Sequence, residues 1–259
     1  MVAPRAMRCR GQSMIYNQNA NTVIFAGSPP ASRVTPKPSM TSNPTPTFSD
    51  HARAPKQGRS RQSFERIIEA TIELLRERGY DQITLAEICE RSGVSTGSLY
   101  GRVAGKDELL RVVQLRFLDR LGEQFSDEAA RISSQARGLQ QVVPAVVASL
   151  GSLLKENASV LRAFMLRAPA DPVIQEQGQK AAERDSDKFL QLLEACSAEI
   201  RHPKPQRAIE SGMLLIYSTQ ARFLGLDSVG GRGQGSWDDL LDDLSDMMLA
   251  FLLFEPAPQ

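Results

Sequence analysis

The stretch from Thr84 to Leu110, TLAEICERSGVSTGSLYGRVAGKDELL, constrains this chain more than any other. Thr84 followed by Glu87 is a capping box. The threonine hydroxyl accepts from the third amide of the helix, and the glutamate reaches back to the N-cap amide. Leu85, Ile88 and Cys89 then share one helical face. Gly93 stands where that helix must stop, because the residue closing a helix often needs a positive φ that glycine adopts cheaply. Ser95 is the next N-cap, and Ser95 to Gly101 spans only about two turns. A helix this short is marginal alone, and its outward residues are small and polar: Ser95, Thr96, Gly97 and Ser98. Such a helix lets its backbone approach base edges in a major groove. An ordinary αα-hairpin has the same spacing, so spacing alone leaves both readings open.

The wider run IIEATIELLRERGYDQITLAEICERSGVSTGSLYGRVAGKDELL, within about Ser63 to Leu110, resembles the DNA-binding domain of the TetR family of bacterial transcriptional regulators. The resemblance rests on Gly79-Tyr80, the Thr84 cap, Gly93-Val94-Ser95, Leu99-Tyr100, and Lys106 with Leu109, all in one register. The family usually carries an aromatic residue or histidine two positions after the tyrosine, and phenylalanine at the third. Arg102 and Val103 stand there instead.

That resemblance implies an all-α fold: an N-terminal helix-turn-helix domain of three helices, joined by a long helix to a C-terminal helical domain for ligand binding and dimerisation. It places residues 59–110 in the DNA-binding domain and residues 111–259 in the effector and dimerisation domain. By position in the motif, it implies phosphate contacts from Thr84, Tyr100, Arg102 and Lys106, and base reading by Thr96 and Gly97 with Ser95 and Ser98 beside them. Thr96 and Gly97 offer few donors, so readout is expected to lean on thymine methyl contacts and DNA shape. The implied partners are double-stranded DNA with a palindromic operator, a second copy of the chain, and a small-molecule effector of unspecified identity.

Charge supports local placement over a uniformly basic surface. Lys and Arg number 31 against 30 Asp and Glu, a net +1. Up to Ser60, however, Arg5, Arg8, Arg10, Arg33, Lys37, Arg53, Lys56 and Arg59 face the single acid Asp50. Residues 1–58 are also rich in proline, serine, threonine and asparagine, a composition that reads as disordered. This extension is either a basic arm adding phosphate contacts, or an inert tail or misassigned start, with Met14 and Met40 as alternative starts. Its only apolar run, Val23 to Ala26, is too short for a signal-peptide core. No stretch approaches the roughly 20 apolar residues of a membrane span, and a cytoplasmic protein with no membrane contact is expected.

The remaining pattern is helical. Phe64, Ile67, Ile68, Thr71, Ile72 and Leu75 form the stripe of a helix from about Arg61 to Arg78. A long helix opens near Gly105-Lys106-Asp107-Glu108 and runs through Phe125. Further helices are expected over Val142–Leu154 (with Pro144 in its first turn or at a kink), Asn157–Arg167, Val173–Ile200 and Pro205–Leu226. After a Gly230–Gly235 loop, Ser236 and Asp239 cap a last helix. Pro205–Leu226 is apolar nearly all round at its centre, which calls for cover on both faces. The resemblance implies that the last two helices build a two-fold four-helix interface; core helices of a monomer are the alternative.

The same resemblance puts a ligand cavity among these helices, with Phe164, Met165, Phe189, Met213, Tyr217 and Phe223 as lining candidates. Arg167 and Arg222 are placed to orient an anionic ligand. Each of these residues also suits plain core or surface. Cys9, Cys89 and Cys196 form neither a disulfide framework nor a metal-ligand spacing, though a redox pair of Cys89 with Cys196 is conceivable. His51 and His202 sit in loop contexts. No cofactor and no metal is expected. An enzyme using paired carboxylates such as Asp242 and Asp246 is the rival class, but Asp238, Asp239 and Asp243 beside them read as a solvated helix start. No nucleophile–base pair or phosphate-binding glycine loop accompanies them. The expected function is therefore a sequence-specific DNA-binding transcriptional regulator, a repressor released by its effector. The alternative is a dimeric ligand-binding protein of the same fold that has lost DNA binding.

Overall fold

The computed structural model describes residues 13–17, 22–26, 54–226 and 233–255. Among them are eight α-helices: α1 Ala54–Arg78, α2 Leu85–Ser92, α3 Thr96–Tyr100, α4 Lys106–Gln135, α5 Leu139–Arg167, α6 Pro172–Glu194, α7 Pro205–Phe223 and α8 Trp237–Leu252. Two short strands precede them. β1 (Ser13–Asn17) pairs antiparallel with β2 (Thr22–Ala26), Ser13 opposite Ala26 and Asn17 opposite Thr22. This ribbon lies inside the extension whose composition reads as disordered. Its cause is local: Met14-Ile15-Tyr16 and Val23-Ile24-Phe25 are β-branched, aromatic and apolar runs of strand length. The proline-rich run after Gly27, Cys9, His51 and Gly230–Arg232 lie outside the described residues.

α1, α2 and α3 form the N-terminal domain. The expected stripe is the buried one: Ile67, Ile68, Thr71, Ile72 and Leu75 are enclosed, with Leu74 added and Phe64 half-buried. The glutamates opposite are engaged by neighbours. Glu73 and Glu77 pair with Arg91 of α2, and Glu65 with Arg116 of α4. These are exposed pairs, worth about 0–1 kcal/mol each; what they add is orientation of α2 and α4 about α1.

α4 is 30 residues long, roughly 45 Å at 1.5 Å per residue, and runs from the N-terminal domain into the core of the second. There it packs on α5 and α6. Phe117 meets Phe164 at 5.7 Å between ring centres, and Phe125 meets Phe189 at 5.4 Å. Fully burying such a side chain contributes about 1.5–3 kcal/mol.

α5 corrects one expectation. The two helices expected over Val142–Leu154 and Asn157–Arg167 are a single helix of 29 residues with Pro144 in its second turn. Lys155 and Glu156 are good helix formers, and Asn157 does not cap. It is buried and donates from Nδ2 to Leu153 O at 2.9 Å, one turn back in the same helix. α6 is also shorter than expected, ending at Glu194 before a short 3-10 turn at Ser197–Glu199. At Gly151, α5 and α8 approach so closely that a Cβ would stand 2.9 Å from Leu241 Cδ2.

α8 begins as expected, with Ser236 Oγ accepting from Asp239 N at 3.2 Å. Leu244 and Met248 face inward, but Met247, Phe251 and Phe254 do not, and Leu215 of α7 is 59% exposed. α7 packs on α5, α6, α8 and β2, and Leu215 is the large apolar side chain it leaves exposed among the described residues.

Candidate DNA-reading face and effector cavity

The helix-turn-helix is built as its local chemistry requires. Thr84 Oγ1 accepts from Glu87 N at 3.2 Å, and Thr84 N donates to Glu87 Oε2 at 2.8 Å. The same threonine hydroxyl and amide, with Arg78 at 2.8 Å, hold the Glu87 carboxyl below its ordinary pKa. Gly93 closes α2 at φ 62°, and Val94 N returns to Cys89 O at 3.1 Å. Ser95 Oγ then accepts from Ser98 N at 3.3 Å and starts α3. Leu99 and Val103 turn into the core, while Ser95, Thr96 and Gly97 are exposed and Ser98 half so. Tyr100 stands 54% exposed beside them. Val103 thus does the packing that a larger apolar side chain does elsewhere in such turns.

Two of the expected phosphate ligands make contacts within the protein. Arg102 Nη2 donates to Ser60 O at 2.7 Å and to Ser60 Oγ at 2.8 Å, and its guanidinium lies 5.3 Å from the centre of the Phe64 ring. Its Nη1 is enclosed without a hydrogen-bond partner. Lys106 Nζ sits 4.0 Å over the Tyr80 ring, and burial lowers its pKa. The amide of Ala104, ahead of α4, donates to Glu108 Oε2 at 2.5 Å. Glu108 thus folds back over the entry to α4, whose N-cap Gly105 supplies no side-chain cap. Arg66, which the sequence did not single out, is exposed on α1, its Nη1 3.7 Å from the point a Cβ on Gly93 would occupy. Nothing in the sequence around Arg66 separates it from the other α1 arginines; only folding brings it to the turn. From Ser60 to Leu110 there are seven Lys and Arg against nine Asp and Glu, a net −2.

Lys106 belongs to a cluster that joins the two domains. Tyr80 donates its hydroxyl to Asp107 Oδ1, and Arg167 Nη2 donates to the same oxygen at 3.0 Å. The Arg167 guanidinium also lies 5.0 Å from the Tyr80 ring centre. Burial and then the Asp107 carboxylate push the Tyr80 hydroxyl up to about 12. The C-terminal end of α5 is thereby fastened to the N-terminal domain and to the first turn of α4. A second fastening lies one turn along. Asp171 caps α6 through Val173 N at 3.1 Å and accepts from Arg111 Nε of α4 at 2.9 Å. Burial raises its pKa, but Arg111 and the cap amides outweigh that and leave the carboxyl below its ordinary value.

Between α4, α5, α6 and α7 is a cavity of about 160 Å³, lined mainly by Leu118, Leu121, Phe125, Phe164 and Phe189, with Met213 and Tyr217 closing it on α7. Of the expected ligand residues, Phe164, Met165, Phe189, Met213 and Tyr217 line it. Arg167 does not, being held by Asp107, and neither does Arg222, which is exposed on α7. Phe223 lies against Trp237 at 5.3 Å. The cavity has two buried polar side chains in its wall, Gln114 and Asp185, and neither was expected there. Their signal in the sequence is a polar residue on an otherwise apolar helical stripe.

The other sequence candidates stand apart. Cys89 and Cys196 are buried free thiols, and burial raises the Cys196 pKa. Asp238, Asp239, Asp242, Asp243 and Asp246 are exposed. Among the described residues no group of three His, Cys, Asp or Glu could hold a metal ion, and no helix is long and apolar enough to cross a membrane.

Residues 67–113 match the family model "Bacterial regulatory proteins, tetR family". Solved structures share the helical fold over about three-quarters of this chain. A Mesorhizobium loti protein assigned to the TetR family of transcriptional regulators is 20% identical, with 75% of this chain and 96% of that one covered and a TM-score of 0.57. A TetR transcription regulator from Haloarcula marismortui is 19% identical, covering 74% and 97% with a TM-score of 0.55. A transcriptional regulator of the TerR/AcrR family from Aquifex aeolicus is 16% identical, covering 72% and 98% with a TM-score of 0.52. No curated protein matches the chain in sequence. Residues 67–113 thus carry the capped helix-turn-helix of the tetR-family model, on a helical fold similar over about three-quarters of the chain to solved regulators of that family.

Proposed function

We propose that this protein is a cytoplasmic, homodimeric repressor that leaves its operator when a small molecule enters the cavity between α4 and α7. The exposed run Ser95-Thr96-Gly97-Ser98 on a doubly capped α3 carries the DNA-reading part. Small side chains there allow close approach to base edges, and Tyr100 adds a hydroxyl at the level of the phosphates. Because the segment around α3 is net acidic, long-range attraction is assigned to the basic residues before Ser60 and to Arg66 at the turn. Arg102 and Lys106 position the reading face instead of touching phosphate.

Dimerisation is assigned to the face made by Leu215 of α7, Met247 and Phe251 of α8, and Phe254 just beyond it. A two-fold pairing of that face would bury the apolar surface a single chain leaves in water. Two α3 helices fixed by such a dimer suit the two halves of a palindrome.

Effector coupling follows the contacts of the cavity wall. Phe164, Met165 and Ala168 line it on the end of α5, and Arg167 among them holds Asp107 and Tyr80. Gln114 and Leu118 line it on α4, one and two turns beyond Arg111. A ligand that fits the cavity better in one arrangement of α4 and α5 shifts the spacing of the two reading helices; without differential affinity it shifts nothing.

The test is selection from random duplexes by purified protein at two salt concentrations, with Tyr100→Ala as control. A palindromic site whose affinity falls steeply with salt and is lost in the variant is expected. No enrichment above the variant would sink the DNA-reading assignment and leave a dimeric ligand-binding protein.

A further inference from the structure

Gln114 is 2% exposed, lies in the cavity wall, and satisfies only half of its amide. Its Nε2 donates to Ile174 O at 2.9 Å, across from α4 to the first turn of α6. That bond fixes the amide's orientation. Reversed, it would set one carbonyl oxygen against another at the same distance. Its Oε1 therefore faces away from Ile174, buried, with no hydrogen-bond partner. A buried acceptor left unsatisfied is costly, and natural structures satisfy the large majority of such groups. Gln220 and Gln177 also carry unsatisfied Oε1 atoms, but neither lines the cavity.

The other buried polar group in the wall is already saturated. Asp185 Oδ1 accepts from Arg184 Nε at 2.9 Å and from Lys188 Nζ at 3.0 Å, and Oδ2 from Arg184 Nη2 at 3.1 Å. With two cations already on it this carboxylate calls for no cationic ligand, and neither Arg184 nor Lys188 lines the cavity to call for an anionic one. Burying an unpaired charge against Leu118, Leu121, Phe125 and Phe164 would be heavily unfavourable. The size is limited too, since a cavity of about 150 Å³ lined by apolar side chains accepts a molecule such as benzene.

We propose that the effector is a small uncharged molecule, about one ring in size and mainly apolar, that donates one hydrogen bond to Gln114 Oε1. A ring hydroxyl or ring N–H meets this description. The proposal rests on reading the cavity as the effector site, and it adds the chemistry by which that site selects. Gln114 lies one turn along α4 from Arg111, so the ligand's donor would engage the helix that carries the N-terminal domain, next to the Arg111–Asp171 contact.

Phenol and toluene are near-isosteres that differ in the donor. Their dissociation constants would be measured by calorimetry on the full chain, on Gln114→Leu and on Gln114→Met, with benzoate as the anionic comparison. The ratio of phenol to toluene affinity is expected to fall about tenfold in either variant, while toluene binding persists as proof of an intact cavity. Benzoate is expected to bind far more weakly than phenol. An unchanged ratio in the variants, benzoate binding as tightly as phenol, or no binding of either neutral probe to the wild type would overturn the proposal. The same phenol is then added to protein on its selected operator. Release supports the effector role. The tenfold coupling without release would uphold the chemistry of the site and sink the repressor-release reading instead.

Discussion

Arg102 decides between two accounts of how the α3 face is held, and its removal separates them. The resemblance implies a phosphate contact for it; in the structure its guanidinium binds Ser60 and stacks on Phe64. Two hydrogen bonds from a charged donor are worth about 1.5–3 kcal/mol each when desolvated. Arg102 is half-buried, so solvent screening leaves the two bonds together about 0.5–1 kcal/mol, and the stacking adds about 0.5–1 kcal/mol. Ser60 O lies inside α1, where a helical amide also uses it, so the loss orphans no acceptor. The net expectation for Arg102→Ala is a loss of about 1–2 kcal/mol, read as a urea midpoint lower by about 0.5 M for a slope of about 2–3 kcal/mol/M. Operator affinity should fall through misplacement of α3, with the slope of log K against log salt unchanged. If Arg102 instead neutralised one phosphate in each protomer, the slope would become shallower by about 1.8. A shallower slope with an unchanged urea midpoint would refute the positioning account.

Three further expectations follow from single contacts. Asp171→Ala removes both the cap of α6 and the pairing with Arg111, and should cost about 2 kcal/mol in urea unfolding, with Asp171→Asn losing less. Because the Asp171 carboxyl is held below its ordinary pKa, its contribution is present above the unfolded value of 3.8 and is lost as pH falls through the lower folded one. The gap between wild type and Asp171→Ala should therefore close in acid. Tyr80, pushed up to about 12, contributes below pH 10 and loses that contribution as pH rises towards 12. Its phenolate absorbance step, taken as wild type minus Tyr80→Phe, should lie near 12, and a difference step near 10 would exclude the contact to Asp107. Leu215→Glu with Met247→Glu should weaken self-association at least roughly a hundredfold by sedimentation, since a charge is buried at each of two symmetric copies. Unchanged association would move the interface elsewhere.

What the sequence by itself determined is what local rules reach. The Thr84–Glu87 box, the Gly93 stop, the Ser95 start and the buried stripe of α1 all depend on residues within a few positions of one another, and all stand as read. Local rules placed a break over Lys155–Asn157 that is absent, because an asparagine that caps and one that bonds back to Leu153 look alike until its surroundings are known, and they ran α6 past its end at Glu194. Tertiary structure decided where long cations went. Arg102, Lys106 and Arg167 each have several rotatable bonds, and their partners Ser60, Tyr80 and Asp107 lie 42, 26 and 60 positions away in the chain. It also decided the cavity, whose walls come from four helices, and the half-satisfied Gln114 within it. Helix propensity and capping act over one or two turns, whereas a cavity and its unpaired oxygen exist only once distant helices have packed and water has been excluded.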